Sequence, residues 1–439
     1  MAMKLLIGFI GIVALVLAMP VARGAEQAAT QPALPVIGEK TFNVTEHGAV
    51  GDGKTLNTDA IAKAIKACVD GGGGIVVVPA GKFLSGPIQL ASKVNLRIDE
   101  GATLIFTDAA EAYPIDDDNR HQMMLSAKKC EDVAITGKGT IDGQGARWWE
   151  EFLKIKGKPD EKKSPRRPNL VDLTNCTRVL IKDVQLVNSP NFHLVPRDCD
   201  EVTIDGVKIN APEDAPNTDG IDPSGRNYLI TRCVFDVGDD CIAFKPQRVR
   251  PDGRPACENF VVSDCTFLHG HGLSIGGQTA GGMRNLVVRD CTFDGTDAGI
   301  RMKAPRGQGG VVENLSYENI TMTNVKVPIF ITSYYPNNTT PKEPENDKAQ
   351  PVGATTPTWR KIRITNVKSQ GSPEAGRIFG LPEMPVSDVV FTHVNLTAEE
   401  GLHIANAKGV QFRDCQIKAA KGEAVIQRNA EVSGLPASE

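Results

Sequence analysis

The chain of 439 residues is poor in aromatic side chains, which make up 5% of it, and it contains 3 tryptophans. It also lacks an excess of positive charge, because 49 lysines and arginines stand against 53 aspartates and glutamates, giving a net charge of −4. Without a positive field over the whole molecule, binding to nucleic acid or to an anionic membrane is not expected. A polyanionic ligand can still bind where basic side chains gather at one site.

Long apolar runs are absent from the sequence except near its start, where Lys4 precedes the apolar run Leu5 to Ala18 and small residues follow. This order predicts a signal peptide over residues 1–24, and the run is short for a membrane-spanning helix. An uncleaved anchor is the alternative. We therefore expect a secreted or periplasmic monomer that is free of the membrane after cleavage, with one domain over residues 38–430.

The 10 cysteines would then meet an oxidising compartment, where disulfides are permitted but not required. Four of them end similar segments, NYLITRC, NFVVSDC, NLVVRDC and GVQFRDC, and are predicted to be buried, reduced core residues. These are Cys233, Cys265, Cys291 and Cys415. Cys241 and Cys257 enclose a polar loop and are the better candidates for a disulfide.

Those cysteine segments belong to a repeat in which an apolar anchor recurs, usually after 21 to 32 residues. The anchors are Val133, Val179, Val202, Tyr228, Phe260, Leu286, Leu315, Ile362, Val389 and Val410. Apolar and polar residues alternate within each unit, which is typical of a strand. The two longest steps, at 134–178 and 316–361, indicate either a skipped turn of the repeat or a long loop insertion.

A unit of this length cannot bury its own apolar face, so the units must stack on one another. Leucine-rich repeats compete at this period, but their Leu-x-x-Leu-x-Leu pattern and regular helices are missing from the sequence. The sequence therefore predicts an all-β fold, a single-stranded right-handed parallel β-helix with an N-terminal capping helix. In that helix Thr58 is the expected N-cap, Gly71 ends the helix, and the apolar face contains Ile61, Ala64, Ile65, Cys68 and Val69.

Four short segments carry ionisable residues late in consecutive units, where a parallel β-helix would stack them on one face at ~4.8 Å per turn. They are Asn217-Thr218-Asp219-Gly220, Gly238-Asp239-Asp240-Cys241, Gly270-His271-Gly272 and Arg301-Met302-Lys303. Taken singly, each aspartate fits a turn or a cap better than a site. Together they provide what inverting glycoside hydrolysis needs, an acid and a base ~6.5–9.5 Å apart.

The neighbouring carboxyl groups of Asp239 and Asp240 should make one of the two harder to ionise, which would keep it protonated for acid catalysis. Strand alternation places Arg301 and Lys303 on one face, where a cationic pair suits the carboxylates of an acidic sugar chain.

The ordered motifs NTDG, GDD, GHG and RMK resemble glycoside hydrolase family 28, the polygalacturonase family, and the similarity extends from about Phe42 to beyond Tyr335. The resemblance implies Asp239 as the general acid. It implies that Asp219 and Asp240 hold and activate the hydrolytic water, and that His271 supports protonation of the acid.

The resemblance also implies that Arg301 and Lys303 bind a galacturonate carboxylate and that Asn217 orients the site. Tyr335 is similar in placement to a substrate-binding tyrosine of the family, and Tyr334 is the alternative. Phe192 stands where the family often has tryptophan. The implied activity is hydrolysis of α-1,4-galacturonosyl bonds in homogalacturonan with inversion and with neither metal nor cofactor, and the presence of His271 and Lys303 favours an unsubstituted chain.

Two other functions remain open at this point. A pectate lyase would use Asp219, Asp239 and Asp240 as calcium ligands for β-elimination. A β-helix that binds carbohydrate without catalysis is the other alternative, but it gives no reason for combining a proton donor with a cationic pair. The sequence does not distinguish endo from exo action, which depends on loops such as 151–168 and 336–358.

Overall fold

A computed structural model describes residues 31–335 and 344–435. The predicted signal peptide at 1–24 lies outside these residues, as does part of the 336–358 segment. Within the described ranges, no helix combines the length and the apolar character needed to cross a bilayer.

The described residues form mainly short strands, together with two α-helices, α1 (Thr58–Asp70) and α2 (Ala146–Ile155). Short 3-10 helices lie at Val44–His47, Ala110–Ala112 and Pro159–Lys162. The strands up to residue 210 are β1 (Thr41–Asn43), β2 (Asp52–Leu56), β3 (Gly74–Val78), β4 (Gly81–Ser85), β5 (Ile88–Gln89), β6 (Val94–Ile98), β7 (Ala102–Phe106), β8 (Leu125–Lys128), β9 (Glu131–Thr136), β10 (Thr140–Asp142), β11 (Val171–Thr174), β12 (Thr177–Lys182), β13 (Gln185–Val187), β14 (Leu194–Arg197), β15 (Cys199–Asp205) and β16 (Lys208–Asn210).

The later strands include several that continue around a corner from one face to the next. They are β17 (Gly225–Thr231), β18 (Val234–Asp236), β19 (Ile242–Phe244), β20 (Cys257–Ser263), β21 (Thr266–Phe267), β22 (Leu273–Gly276), β23 (Met283–Arg289), β24 (Thr292–Asp294), β25 (Ala298–Lys303), β26 (Val311–Thr323), β27 (Val327–Thr332), β28 (Thr358–Phe379), β29 (Val386–Thr392), β30 (Asn395–Arg413) and β31 (Gln416–Ser433).

The strands pair in parallel and stack into three sheets. The first sheet begins with β1, β3, β6, β9, β12, β15, β17, β20 and β23. The second begins with β2, β4, β7, β10, β13, β16, β18, β21 and β24. The third contains β5, β8, β11, β14, the isolated position Ile221, β19, β22, β25 and β27. After the first turn, which has α1 in place of a third strand, successive turns add to each of the three sheets in the same order, so the predicted parallel β-helix is confirmed.

The anchors of the repeat stack in register along the first sheet. Val133 pairs with Val179, and the pairing continues anchor by anchor to Val389 with Val410. Because Leu315 pairs directly with Ile362, as Val133 does with Val179, both long steps are loop insertions and no turn is skipped. The first insertion contains α2, which the sequence analysis did not predict.

A ladder of asparagines forms one corner of the β-helix, at the position before the anchor. Asn227, Asn259, Asn285 and Asn314 have φ between 58° and 61°, a conformation that asparagine tolerates better than most residues. Each side-chain amide from Asn259 onward donates to the Oδ1 atom of the asparagine below, at 3.1, 2.9 and 2.6 Å. These bonds fix the corner and satisfy polar groups between turns.

The interior is apolar, and all 10 cysteines, which lie within the described residues, are free thiols. Cys233, Cys265 and Cys291 are buried as predicted, whereas Cys415 is partly exposed. The expectation of a disulfide between Cys241 and Cys257 is wrong. The two belong to different sheets, and their Sγ atoms face different carbonyl groups, those of His269 and Pro223.

Helix α1 covers the N-terminal end of the β-helix and contacts β1, β3, β5 and β6. Ile61, Ala64, Ile65 and Cys68 are buried, which confirms the cap. Two details differ: Val69 is 43% exposed, and the N-cap position is held by Asn57 instead of Thr58. The Thr58 hydroxyl accepts a hydrogen bond from the Gly86 amide at 2.7 Å, which ties the helix to the turn between β4 and β5.

Candidate active site

The four ionisable segments lie on the third sheet, on consecutive turns of the β-helix. Asp219 precedes Ile221, which bridges to Ile242, and the second segment ends just before that residue. Strand β19 pairs with β22, which follows His271, and β22 pairs with β25, which contains Arg301. Residues from separate parts of the sequence therefore meet in one groove.

Asp240 is the buried centre of the cluster. Its Oδ1 atom accepts from Ser274 Oγ at 2.8 Å and from Arg301 Nη1 at 2.6 Å, and Lys303 Nζ lies 3.0 Å from Oδ2. Burial opposes ionisation, but the His271 ring, with Nδ1 3.6 Å from Oδ1, and the charges of Lys303 and Arg301 outweigh it and hold the pKa of Asp240 well below its usual range. Asp240 is therefore ionised at neutral pH.

Asp239 is partly exposed and faces the groove. Its Oδ1 atom accepts from the Asp240 amide at 2.9 Å and lies 3.1 Å from His271 Nδ1, while Asn217 Nδ2 is 3.5 Å from Oδ2. Burial and the negative charge of Asp240 raise the pKa of Asp239, but the hydrogen bond and charge of His271 lower it more. The pKa of Asp240 is lowered as well, so the expectation that repulsion keeps one of the two carboxyl groups protonated is wrong for the protein without substrate.

His271 holds the proton of this cluster. The hydrogen bond to Asp239 and the nearby carboxylate of Asp240, 3.6 Å away, raise its pKa to about 9, so the ring is an imidazolium at neutral pH. Its Nε2 atom lies 3.3 Å from Oδ2 of Asp297, whose other oxygen accepts from Lys326 Nζ at 2.6 Å. The sequence analysis missed Asp297 because a lone aspartate in a TDAG turn looks like any surface residue.

Asp219 shares a buried cation with Asp222, a residue that the sequence analysis also missed. Lys245 Nζ lies 3.2 Å from Asp219 Oδ2 and 3.1 Å from Asp222 Oδ2. Burial raises the pKa of Asp219 well above its usual range, with the charge of Asp222 adding to the effect, and burial raises the pKa of Asp222 to about 6. Among the described residues, Oδ1 of Asp222 has no hydrogen-bond partner.

The position of Lys245 in the repeat could have identified it as a site residue from the sequence. It stands three residues after the inward-facing Ile242, as Lys303 stands three residues after Ile300. Its Nζ atom also lies 5.2 Å from the ring centroid of Phe192, a contact that favours a cation.

Asn217 is held in place by Arg167, which comes from the insertion that contains α2. Nη2 of Arg167 donates to Asn217 Oδ1 at 2.8 Å, and Nη1 donates to the carbonyls of Pro190 and Pro216. The guanidinium also stacks on the ring of Phe152 at 4.0 Å. Burial lowers the pKa of Arg167 to about 10. Sequence reasoning missed this residue because its insertion lies outside the repeat.

The two tyrosines after β27 have different surroundings. Tyr334 is buried and its hydroxyl donates to Asp347 at 2.8 Å. The Tyr335 ring is partly exposed and its centroid lies 5.3 Å from Lys303 Nζ. Tyr335 is therefore the tyrosine that borders the groove.

The ligand atoms of Asp239, Asp240 and His271 lie within 4.8 Å of one another, close enough to resemble a metal site. The chemistry of the donors argues against one. His271 already carries a proton, and Arg301 and Lys303 already compensate Asp240, so a divalent cation would be repelled.

A cavity of about 870 Å³ adjoins the cluster toward β14. Asn217, Asp222 and Lys245 line its inner end, and residues 118–123 and 152–167 form part of its wall. Backbone hydrogen bonds from Arg166 to Asn119 and from His121 to Arg166 join these two loops.

A parallel β-helix with a groove that combines ionised carboxylates, an imidazolium and buried cations defines an enzyme that acts on a carbohydrate chain. The sequence profile of the Glycosyl hydrolases family 28 matches residues 68–420. The chain belongs to this family.

Relatives of known name agree with the family. The chain is 33% identical to a polygalacturonase from Juniperus ashei over 67% of its own length and 57% of that protein. It is also 33% identical to an endo-polygalacturonase from Pectobacterium carotovorum subsp. carotovorum, over 80% of this chain and 86% of the other. The crystal structure of a hyperthermoactive exopolygalacturonase from Thermotoga maritima superimposes with a TM-score of 0.70 at 26% identity, covering 92% and 94% of the two chains.

Proposed function

We propose that this protein hydrolyses α-1,4-galacturonosyl bonds of homogalacturonan. The observation that carries the proposal is the cluster around Asp240, in which a groove-facing carboxyl group, an imidazolium, the buried Lys303 and the partly buried Arg301 meet at one point. The family membership and the names of its relatives support the same activity.

In the proposed mechanism Asp239 delivers a proton to the leaving glycosidic oxygen. His271 is the store for that proton, because it is protonated at neutral pH and its Nδ1 atom lies 3.1 Å from Asp239 Oδ1. When a sugar chain covers the groove, loss of water favours the neutral form of Asp239, and the proton shifts from His271 to the carboxylate.

Asp240 and Asp219 are the proposed partners of the hydrolytic water. Asp240 is the member of this pair that its cations keep ionised. Asp219 lies one turn away and would orient the water through its carboxyl group. Inversion of the anomeric configuration is a general property of the family and matches attack by water.

Arg301, Lys303, Asn217 and Tyr335 are the proposed substrate-binding residues. Lys303 and the Tyr335 ring border the same part of the groove. A galacturonate carboxylate would approach the cationic pair from the open side, opposite Asp240. Residues 1–24 are the proposed signal peptide, which would place the enzyme outside the cytoplasm.

The release of reducing ends from polygalacturonate tests this function. We expect release from polygalacturonate and little from a neutral galactan, without a rise in ultraviolet absorbance. A pectate lyase would generate a conjugated double bond and absorb. Equal release from both polymers would contradict an acidic substrate, and no release with intact binding would favour a carbohydrate-binding protein.

A further inference from the structure

Three cations occupy equivalent positions along the outer face of the third sheet. Arg197, Lys245 and Lys303 each stand three residues after an inward-facing aliphatic residue. Those aliphatic residues are Leu194, Ile242 and Ile300, which are joined through the intervening Ile221 and Leu273. The backbone ladder continues to the cations, because the Lys245 amide donates to the Pro223 carbonyl.

The three cations are therefore two turns of the β-helix apart, which corresponds to ~10 Å between successive members. Ser224 and Gly276 occupy the turns between them. An extended polymer lying along the groove would meet a positive charge at regular intervals.

The members of this row differ in how their charge is compensated. Lys303 and Lys245 are held by carboxylates of the catalytic cluster. Arg197 has its nearest carboxylate oxygen, from Asp172, at 3.6 Å. Arg248, on the wall beside it, has its nearest carboxylate oxygen, from Asp198, at 3.6 Å.

These distances exceed a hydrogen bond, so both guanidinium groups keep donors available for a ligand. Their side chains are 42% and 75% exposed. Both line the cavity of about 870 Å³ beside the cluster, a volume in the range of small-molecule sites. Arginine suits such a role, because its planar fork binds a carboxylate with two parallel hydrogen bonds.

We infer that Arg197 and Arg248 form a second carboxylate-binding subsite, which binds a uronate unit of the same chain remote from the bond that is cleaved. This inference rests on the proposed function and extends it to chain length. A chain long enough to reach Arg197 gains contacts that a dimer cannot make.

Calorimetric titration tests the subsite in a background that binds without turnover, the Asp239→Asn variant. Hexagalacturonate and digalacturonate are the probes. Adding Arg197→Gln and Arg248→Gln together should raise the Kd of the hexamer about tenfold, equivalent to ~1.4 kcal/mol. The change for the dimer should be smaller, and a methyl-esterified hexamer should lose the difference between parent and variant.

Arg289→Gln is the matched control, because Arg289 is an exposed arginine in the first sheet, outside the cavity. Thermal unfolding checks that each variant is folded, and Arg248→Gln alone serves if Arg197→Gln does not fold. An equal loss for dimer and hexamer, or no loss for the hexamer, would show that the subsite does not exist. If wild-type protein binds the hexamer through these arginines but releases no reducing ends, the subsite stands and the proposed hydrolysis is wrong.

Discussion

The Nζ atom of Lys303 lies 3.0 Å from Oδ2 of Asp240, and their side chains are 6% and 4% exposed. The cation that the sequence assigns to the substrate is thus already paired within the protein. Arg301 makes a second ion pair with the same carboxylate. The cationic pair therefore has two roles, to keep Asp240 ionised and to present its remaining donors to a substrate carboxylate.

Removing the Lys303 cation should show how strongly the ionised Asp240 depends on it. Lys303→Met leaves the buried Asp240 carboxylate undercompensated, and breaking a buried ion pair typically costs ~3–5 kcal/mol of unfolding free energy. The pKa of Asp240 is lowered in the folded protein, so the stabilisation is present above the ordinary pKa of 3.8 and is lost as the pH falls below it. The loss is progressive and is complete only below the lowered pKa of the folded protein, so urea unfolding should show a larger difference from wild type at pH 7 than at pH 3. Lys361→Met, at an exposed ion pair with Glu313, should change little at either pH.

Asp239→Asn should abolish hydrolysis of polygalacturonate and leave the fold intact. The amide matches the carboxyl group in size but cannot deliver a proton. Reducing-end assays and circular dichroism check the two parts of the expectation. Asp236→Asn is the control, because Asp236 lies on the same turn but binds His269 away from the cluster. Near wild-type turnover by Asp239→Asn would disprove the assignment of the acid.

His271 should stabilise the protein in a pH-dependent way. Its pKa is raised to about 9 from an ordinary value of 6.5, so the folded state favours its protonated form. The stabilisation is complete below pH 6.5 and is lost as the pH rises through about 9. The Tm difference between wild type and His271→Gln should therefore be largest at pH 6 and smallest at pH 10. His393→Gln, at an exposed histidine, should show no such trend; a constant difference for His271→Gln would exclude the imidazolium.

Arg167→Met should impair catalysis without touching the reacting groups. Loss of the bond to Asn217 Oδ1 frees the amide that faces Asp239. We expect a fall in kcat of roughly tenfold, the effect of ~1.4 kcal/mol, with a smaller change in KM. Arg147→Met, on the exposed side of α2, is the control. A loss of stability without a change in kcat would assign Arg167 a purely structural role.

The fold could be predicted from the sequence because each repeat carries the same short pattern of residues. Anchors such as Phe260 recur at a fixed position, and asparagines such as Asn259 mark the corner before them. The residues outside the motifs could not be found in this way. Arg167 reaches Asn217 from an insertion with no repeat of its own, and Asp297 reaches His271 from a turn whose direction depends on the stacked sheets.

The protonation states of Asp239 and Asp240 could not be predicted from the sequence either. Adjacency of Asp239 and Asp240 suggested mutual repulsion, which is present. The outcome is decided by His271 at Asp239, and by His271 with Lys303, Arg301 and Lys245 at Asp240. The pKa of a side chain depends on its distances in space to other charged groups, whereas the sequence gives only their separation along the chain.

The stereochemical outcome tests the geometry of the whole cluster. A retaining enzyme needs a nucleophilic carboxylate ~5–5.5 Å from the acid, on the other side of the bond. Facing oxygens of Asp239 and Asp240 lie within 4.8 Å of each other, and Asp240 is engaged by Arg301, Lys303 and Ser274, which leaves it poorly placed and weakly nucleophilic. Asp219 lies one turn away, a step of ~4.8 Å with a further displacement to the side, which leaves room for water. We therefore expect inversion, visible by time-resolved proton NMR of the new reducing end before mutarotation. Retention of configuration, or a glycosyl adduct on any of these aspartates in a mass spectrum, would overturn the water mechanism while leaving the substrate assignment intact.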